Sequence, residues 1–134
     1  IKKKSLDKYI ILLDYLNDDE ISLLYQKCLA VIFPSYVGSH SFPLFEGFFY
    51  EKPVIYNKYS IDKNLENKIL KLDINKIEDL DKILEYMESN ENQIKDIILS
   101  GKKHFDDNFS ERYILEKISK IIIEYKNFSK KWKH

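Results

Sequence analysis

The sequence predicts an α/β domain built on a doubly wound parallel sheet with a helical C-terminal tail. Short continuous apolar runs alternate with stretches in which apolar residues recur at helical spacing, and that order is typical of parallel strands joined by crossover helices. The last third of the chain shows only the helical spacing. At 134 residues the chain can bury one hydrophobic core but not two, so we expect residues 1–134 to form a single domain.

Apolar runs bounded by polar or turn-forming residues are the predicted strands. In chain order they are Tyr9 to Leu13 (YIILL), Ala30 to Phe33 (AVIF), Pro53 to Tyr56 (PVIY) and the weaker Ile69 to Leu72 (ILKL). Apolar runs without alternation, such as the first three, are typical of strands that are buried on both faces in a parallel sheet. We therefore expect Tyr9 to Leu13 to be the first strand of the sheet.

Helical spacing accounts for most of the remaining chain. Asn17 and Asn75 are each followed three residues later by Glu, which is the spacing of a helix capping box. A helix beginning at Pro43 is apolar on all sides as far as Tyr50, apart from Glu46, and is therefore predicted to be buried. Two more helices are predicted, from about Asn92 to Asp107 and from Ser110 onwards.

Charge and cysteine content narrow the class of protein. The 22 Lys and Arg residues balance 22 Asp and Glu residues, so we expect no nucleic-acid partner. The single cysteine, Cys28, excludes an internal disulfide, and no Cys/His cluster predicts a metal site. No signal peptide begins the chain, which favours a cytoplasmic protein. Because the chain opens with Ile1 in a Lys-rich stretch, we expect a fragment from the C-terminal end of a larger protein.

The loop and helix start between the second and third predicted strands, Pro34 to Glu46, form the predicted ligand site. In parallel α/β sheets ligands bind beyond the carboxyl ends of the strands. The backbone N–H groups of Ser41 and Phe42, at the positive end of the helix dipole, suit a phosphate. Glu46 is a carboxylate in an otherwise apolar helix and needs hydrogen-bond donors, which two sugar hydroxyls would supply. The structural alternative is that Glu46 only complements the helix dipole.

Three segments keep the spacing of a known motif. They are Phe33-Pro34-Ser35, Phe42-Pro43-Leu44-Phe45-Glu46-Gly47 and Glu51-Lys52-Pro53-Val54-Ile55. Together they resemble the donor-binding half of family-four retaining glycosyltransferases of the GT-B fold, whose usual string reads F-P-S-x-x-E-G-F-G-L-P-x-L-E-A and then G-K-P-V-I. Upstream, Tyr25 falls where the family's helix commonly carries a Tyr. The resemblance implies a Rossmann-like, partial GT-B C-terminal domain that binds a nucleotide diphosphate sugar, such as a UDP or GDP sugar, with no further cofactor.

The resemblance also assigns roles within the loop and helix. In the family, the second Glu of the E-x(7)-E pair binds the nucleotide ribose, and Glu46 occupies that position here. The amides at the start of the helix would hold the diphosphate. Gly38 stands where the family has its first Glu, so the contacts to the sugar differ, and His40 becomes either a polar group near the sugar or an exposed loop imidazole. No catalytic residue is assigned. The predicted nucleotide-sugar-binding residues are Glu46, Gly38, Ser39, His40, Ser41 and Phe42.

The implied activity is sugar transfer to a glycan or lipid-linked acceptor, as in polysaccharide biosynthesis. The parent protein would supply an N-terminal acceptor domain that is missing here, and could contact a membrane peripherally. Because transfer needs a positioned acceptor and a stabilised leaving diphosphate, we expect this fragment to be inactive alone. Two alternatives stay open. One is a receiver-like signalling module with Asp14 accepting phosphate and Lys52 assisting, and the other is a non-catalytic nucleotide-binding relative.

Overall fold

The structure is a computed structural model that describes residues 6, 8–36, 42–76 and 78–131. Its elements are α1 (Asp18–Lys27), β1 (Val31–Phe33), α2 (Phe42–Phe49), β2 (Val54–Asn57), β3 (Leu70–Leu72), α3 (Asp79–Ser89), α4 (Glu91–Phe109) and α5 (Glu111–Lys131). Two short 3₁₀ turns, Lys58–Ser60 and Lys63–Leu65, lie between β2 and β3. The α/β class predicted from the sequence is confirmed, with a small parallel sheet and mostly helical content.

The described sheet has three parallel strands in the order β1-β2-β3. Val31 pairs with Val54, and Ile55 pairs with Leu70. Every residue of β2 is buried, which is expected of a central strand. The prediction that β1 is also buried on both faces is wrong, because β1 lies at the edge of the described sheet and Ile32 is 45% exposed. The continuous apolar runs at Ala30 to Phe33, Pro53 to Tyr56 and Ile69 to Leu72 therefore predicted these three strands to within a residue at each end.

Helices cover both faces of this sheet. On one face, Leu44 and Phe48 of α2 pack with Val54 and Tyr56. On the other face, Ile55 packs with residues of β3, α3 and α4. Side chains of successive β2 residues point to opposite faces, so this single strand contributes to both clusters. Burial of each large apolar side chain contributes roughly 1.5–3 kcal/mol, which makes β2 the centre of the domain's stability.

Two glycines allow α2 to lie unusually close to its neighbours. A Cβ atom on Gly47 would stand 2.5 Å from Val54 Cγ2, and one on Gly101 of α4 would stand 2.5 Å from Phe48 Cδ1. Real Cβ atoms do not approach so closely, so both positions need a residue without a side chain. Helix α2 is thereby held between the sheet and α4.

The end of α2 is a Schellman motif in which a residue other than glycine takes the left-handed conformation. Glu51 has a φ of 54°. The Lys52 N–H donates to the Gly47 carbonyl oxygen at 2.9 Å, and the Glu51 N–H donates to the Phe48 carbonyl oxygen at 3.2 Å. Glycine is the usual residue at this position because its φ is unrestricted. This turn directs the chain into β2.

The prediction that Tyr9 to Leu13 is a strand is wrong. The segment is irregular, and its side chains are exposed, from 44% for Ile10 to 82% for Tyr9. An apolar run becomes a strand only where a neighbouring strand pairs with its backbone groups. Within the described residues β1 pairs with β2 alone, and no strand pairs with this segment.

Two helix predictions also need correction. The capping box predicted at Asn75 does not form, because α3 begins at Asp79 without a side-chain cap, and Asn75 accepts a hydrogen bond from Tyr36 instead. Helix α2 is buried on one side only: Leu44, Gly47 and Phe48 are buried, whereas Phe42 is 84% exposed. The apolar composition of α2 thus overstated its burial.

The C-terminal helix α5 packs mainly on α4 and leaves most of its length exposed. Among the described residues, none of the helices combines the length and the apolar character that crossing a bilayer requires.

We predict that Glu51→Gly stabilises the protein by about 0.5–1 kcal/mol, because glycine adopts the left-handed conformation without the steric cost of a Cβ atom. Urea unfolding followed by circular dichroism measures the change. Glu51→Ala is the matched control, since it removes the same side chain but keeps the Cβ atom. Equal effects of the two substitutions would contradict the assignment of strain to this residue.

Candidate functional site

Helix α1 begins with the capping box that the sequence predicts at Asn17. The Glu20 N–H donates to Asn17 Oδ1 at 3.0 Å, and the Asn17 N–H donates to Glu20 Oε2 at 2.9 Å. These two bonds satisfy amide groups that have no partner within the helix. The helix then carries Tyr25 to the side of α2, where the candidate site lies.

Glu46 projects from α2 toward α1. The Tyr25 hydroxyl donates to Glu46 Oε2 at 2.6 Å. The Tyr25 ring stacks on the Tyr50 ring, with the centroids 5.1 Å apart and the planes 2° from parallel. The hydroxyls of Tyr50 and Ser22 share a hydrogen bond of 2.6 Å. The stacked pair therefore joins α1 to the residue that follows α2, and the Tyr25 hydroxyl holds the Glu46 carboxylate.

The Tyr25 hydroxyl is fixed as a hydrogen-bond donor. Burial, followed by the hydrogen bond to Glu46 and the negative charge of that carboxylate, raises the pKa of Tyr25 well above its ordinary value. The phenol is therefore protonated throughout the neutral range. It orients one oxygen of Glu46, and no described residue donates a hydrogen bond to the other.

Glu46 also lines a cavity of about 620 Å³ between α2 and the junction of α4 with α5. Its other lining residues are Phe42, Phe45, Phe49, Tyr50, Phe105, Phe109 and Ile114. Six of the eight lining residues are aromatic, and Glu46 is the one charged residue among them. A larger surface groove of about 800 Å³ runs along α5 and includes none of the predicted site residues.

Phe42, another of the predicted site residues, lines the same cavity as Glu46. The two residues are four positions apart on α2, which places them on the same face of the helix, and both line the cavity. The Phe42 ring is almost entirely exposed. The other four predicted residues, Gly38 to Ser41, lie outside the residues that the structure describes.

The chain that leads from β1 toward this loop is anchored at Ser35. The Asn57 side-chain amide donates to the Ser35 carbonyl oxygen at 3.1 Å, and the Ser60 hydroxyl donates to the same oxygen at 3.0 Å. Asn57 is completely buried. Two hydrogen bonds therefore fix the chain at Ser35, beyond the carboxyl end of β1.

A charged cluster at the same edge of the sheet was not found by sequence reasoning. Asp73 follows β3, is only 4% exposed, and accepts from the Tyr59 hydroxyl at 3.1 Å. Lys58 Nζ lies 2.8 Å from Asp73 Oδ2, and the Asp73 N–H donates to Asp79 Oδ2 at 2.7 Å. The only sequence signal was an Asp directly after an apolar run. The cluster ties the ends of β2 and β3 to α3.

The ion pair between Lys58 and Asp73 changes the pKa of both side chains. The hydrogen bond from Lys58 is the main cause that lowers the pKa of Asp73, and the same bond raises the pKa of Lys58. Within the described residues, no group of three or more His, Cys, Asp or Glu side chains is arranged to hold a metal ion.

The residues of the receiver-like alternative occupy different settings. Asp14 is exposed in the irregular segment before α1. Lys52 Nζ donates to the Gln26 carbonyl oxygen at 2.9 Å, which ties the C-terminal end of α1 to the segment before β2.

Comparisons of the chain with protein-family models, with curated proteins and with solved structures give no significant match. The geometry of the described residues is therefore the basis for the functional argument.

We predict that the Asp73 ion pair makes stability depend on acid pH. Because the folded-state pKa of Asp73 is lowered, its contribution is present above the unfolded-state pKa of about 4 and is lost as pH falls through the folded-state pKa. Asp73→Asn should be less stable than the wild type at pH 7 and should lose less stability on acidification. Urea unfolding over this pH range measures the free energy of unfolding of both proteins. Asp96→Asn, at an exposed position of α4, is the control. A parallel acid response in wild type and Asp73→Asn would refute the prediction.

We predict a coupling of about 1 kcal/mol between Tyr25 and Glu46, because a hydrogen bond to a charged group contributes more than a neutral one but this pair is partly exposed to solvent. A double-mutant cycle of Tyr25→Phe and Glu46→Gln, followed by urea unfolding, measures this coupling. Tyr86→Phe removes a hydroxyl from α3 and is the control. Strictly additive effects of the two substitutions would show that the bond does not stabilise the fold.

Proposed function

We propose that this chain is the donor-binding part of a glycosyltransferase and holds a nucleotide diphosphate sugar such as a UDP or GDP sugar. The observation that carries the proposal is the position of Glu46. Its carboxylate is half-buried beside a cavity, receives one hydrogen bond from Tyr25, and retains an oxygen to which no described residue donates. A carboxylate so placed suits the two vicinal hydroxyls of a ribose.

Tyr25 contributes by orienting the carboxylate. Its hydroxyl donates to Oε2 of Glu46 and so holds that oxygen in one position. Hydrogen bonds from ribose hydroxyls to a charged acceptor are stronger than those between neutral groups. The exposed Phe42 ring beside the carboxylate offers an apolar face on which the ribose or the base would lie.

The diphosphate would bind at the start of α2. The first amides of a helix have no partner within it, and the helix dipole favours an anion there. Phe42 and Leu44 supply such amides, whereas Pro43 has none. The sugar would then lie against the loop Gly38–Ser41, and the acceptor, a glycan or a lipid-linked molecule, would come from the rest of the parent protein.

The backbone after α2 gives separate support to the resemblance. The string typical of the family has Gly before its Lys-Pro-Val-Ile, and this chain has Glu51 there. Glu51 takes the left-handed conformation that a glycine adopts most easily. The backbone at this position therefore suits the glycine of the family string. We further propose that the chain forms a doubly wound GT-B C-terminal domain that includes the three described strands.

A structural role for Glu46 competes with ribose binding. The carboxylate could serve only to link α2 to α1 through Tyr25. Replacing Glu46 distinguishes the two roles. If the role is only structural, the substitution changes the free energy of unfolding alone, whereas loss of ribose binding also lowers nucleotide affinity.

We predict that Glu46→Gln weakens binding of the better of UDP and GDP by about tenfold to a hundredfold, because the neutral amide is a poorer acceptor for the ribose hydroxyls. Isothermal titration calorimetry measures the affinity. Glu85→Gln, at an exposed position of α3, is the matched control. Unchanged affinity in a Glu46→Gln variant that remains folded would contradict the proposal, as would a wild-type protein that binds neither nucleotide.

A further inference from the structure

Helix α5 carries an exposed apolar stripe along most of its length. The helix has 21 residues and is about 30 Å long at 1.5 Å per residue. The stripe consists of Ile114, Ile118, Ile121, Tyr125 and Phe128, whose exposed fractions range from 45% to 70%. These residues are separated by four, three, four and three positions, the spacing of a seam between two packed helices.

The two flanks of the stripe differ in chemistry. At 100° per residue, Leu115 and Ile122 lie along one flank, and Lys117 and Glu124 lie along the other. Leu115 and Ile122 are 56% and 48% exposed. Lys117 lies over the Tyr113 ring, and Glu124 has only a loose ion pair with Lys120, at 3.9 Å. Both charged groups can therefore exchange these exposed contacts for others.

We propose that the stripe binds the same stripe of a second copy of this chain, with the two α5 helices antiparallel. An antiparallel register centred between Ile118 and Ile121 sets each of these residues against the other in the second copy. The same register sets Lys117 opposite Glu124 of the second copy, twice by symmetry, and sets Leu115 opposite Ile122. One flank of the interface is thus closed by opposite charges and the other by apolar contact.

A parallel arrangement does not offer this complementarity. It would set Lys117 beside Ile122 of the second copy and Glu124 beside Ser129, so neither charge would meet its opposite. It would also stack Tyr125 on Tyr125. The charge pattern therefore selects the antiparallel arrangement, and a second copy is the occupant whose flanks match. This inference does not depend on the proposed nucleotide site.

The first test is the oligomeric state of the chain in solution. Sedimentation equilibrium in the micromolar range should give a dimer for the wild type and a monomer for Ile118→Glu with Ile121→Glu. Ile123→Glu is the matched control, because Ile123 is 58% exposed on the opposite side of α5, and it should remain dimeric. Circular dichroism checks that each variant is folded.

A charge-reversal pair tests the register. Lys117→Glu should weaken dimerisation about tenfold, since it sets two like-charged pairs in the symmetric interface. Adding Glu124→Lys should restore it. A wild-type chain that is monomeric at high micromolar concentration overturns the proposal, as does a dimer that Ile118→Glu with Ile121→Glu leaves intact or a charge reversal that is not restored. A monomer that binds anionic lipid vesicles through α5 overturns it too, and assigns the stripe to a lipid surface.

Discussion

The contact between α2 and β2 at Gly47 positions both the core and the candidate site. A side chain at residue 47 would collide with Val54, so the helix axis lies closer to the sheet than most residues allow. Leu44 and Phe48 are buried as a result, and Glu46 is directed sideways toward α1. The start of the same helix stands near the carboxyl edge of the sheet. One close contact therefore determines where the carboxylate and the first amides of α2 lie relative to each other.

The hydrogen bond between Tyr25 and Glu46 links α1 to α2 and also orients the carboxylate of the proposed nucleotide site. A half-buried carboxylate needs donors, and the Tyr25 hydroxyl supplies one from a neighbouring helix. That hydroxyl is a neutral donor at physiological pH, and the raised pKa of Tyr25 extends this state to more alkaline pH.

Sequence patterns predicted the strands that consist of continuous apolar runs. They missed features that depend on a strand or side chain elsewhere in the sequence. The run at β2 was found because continuous apolar residues suit a strand covered on both faces. The same pattern located β1 but overstated its burial, since Ile32 is 45% exposed. The run Tyr9 to Leu13 has the same composition but no pairing strand among the described residues, so composition alone misassigned it. Asp73 was missed because its partners Lys58 and Tyr59 are distant in sequence and meet only through the sheet. Glu46 was identified because a single charge in an apolar helix is conspicuous, but its bond to Tyr25 needed the fold.

The central claim is that Glu46 and the start of α2 together bind the ribose and diphosphate of a nucleotide. Amide chemical shifts of the ¹⁵N-labelled protein, recorded during titration with UDP or GDP, test it most directly. The account predicts shifts at Phe42, Leu44 and Tyr25 that the free base does not reproduce, because the base lacks both ribose and phosphate. Shifts confined to α3 and β3, or an unchanged spectrum with either nucleotide, would contradict it.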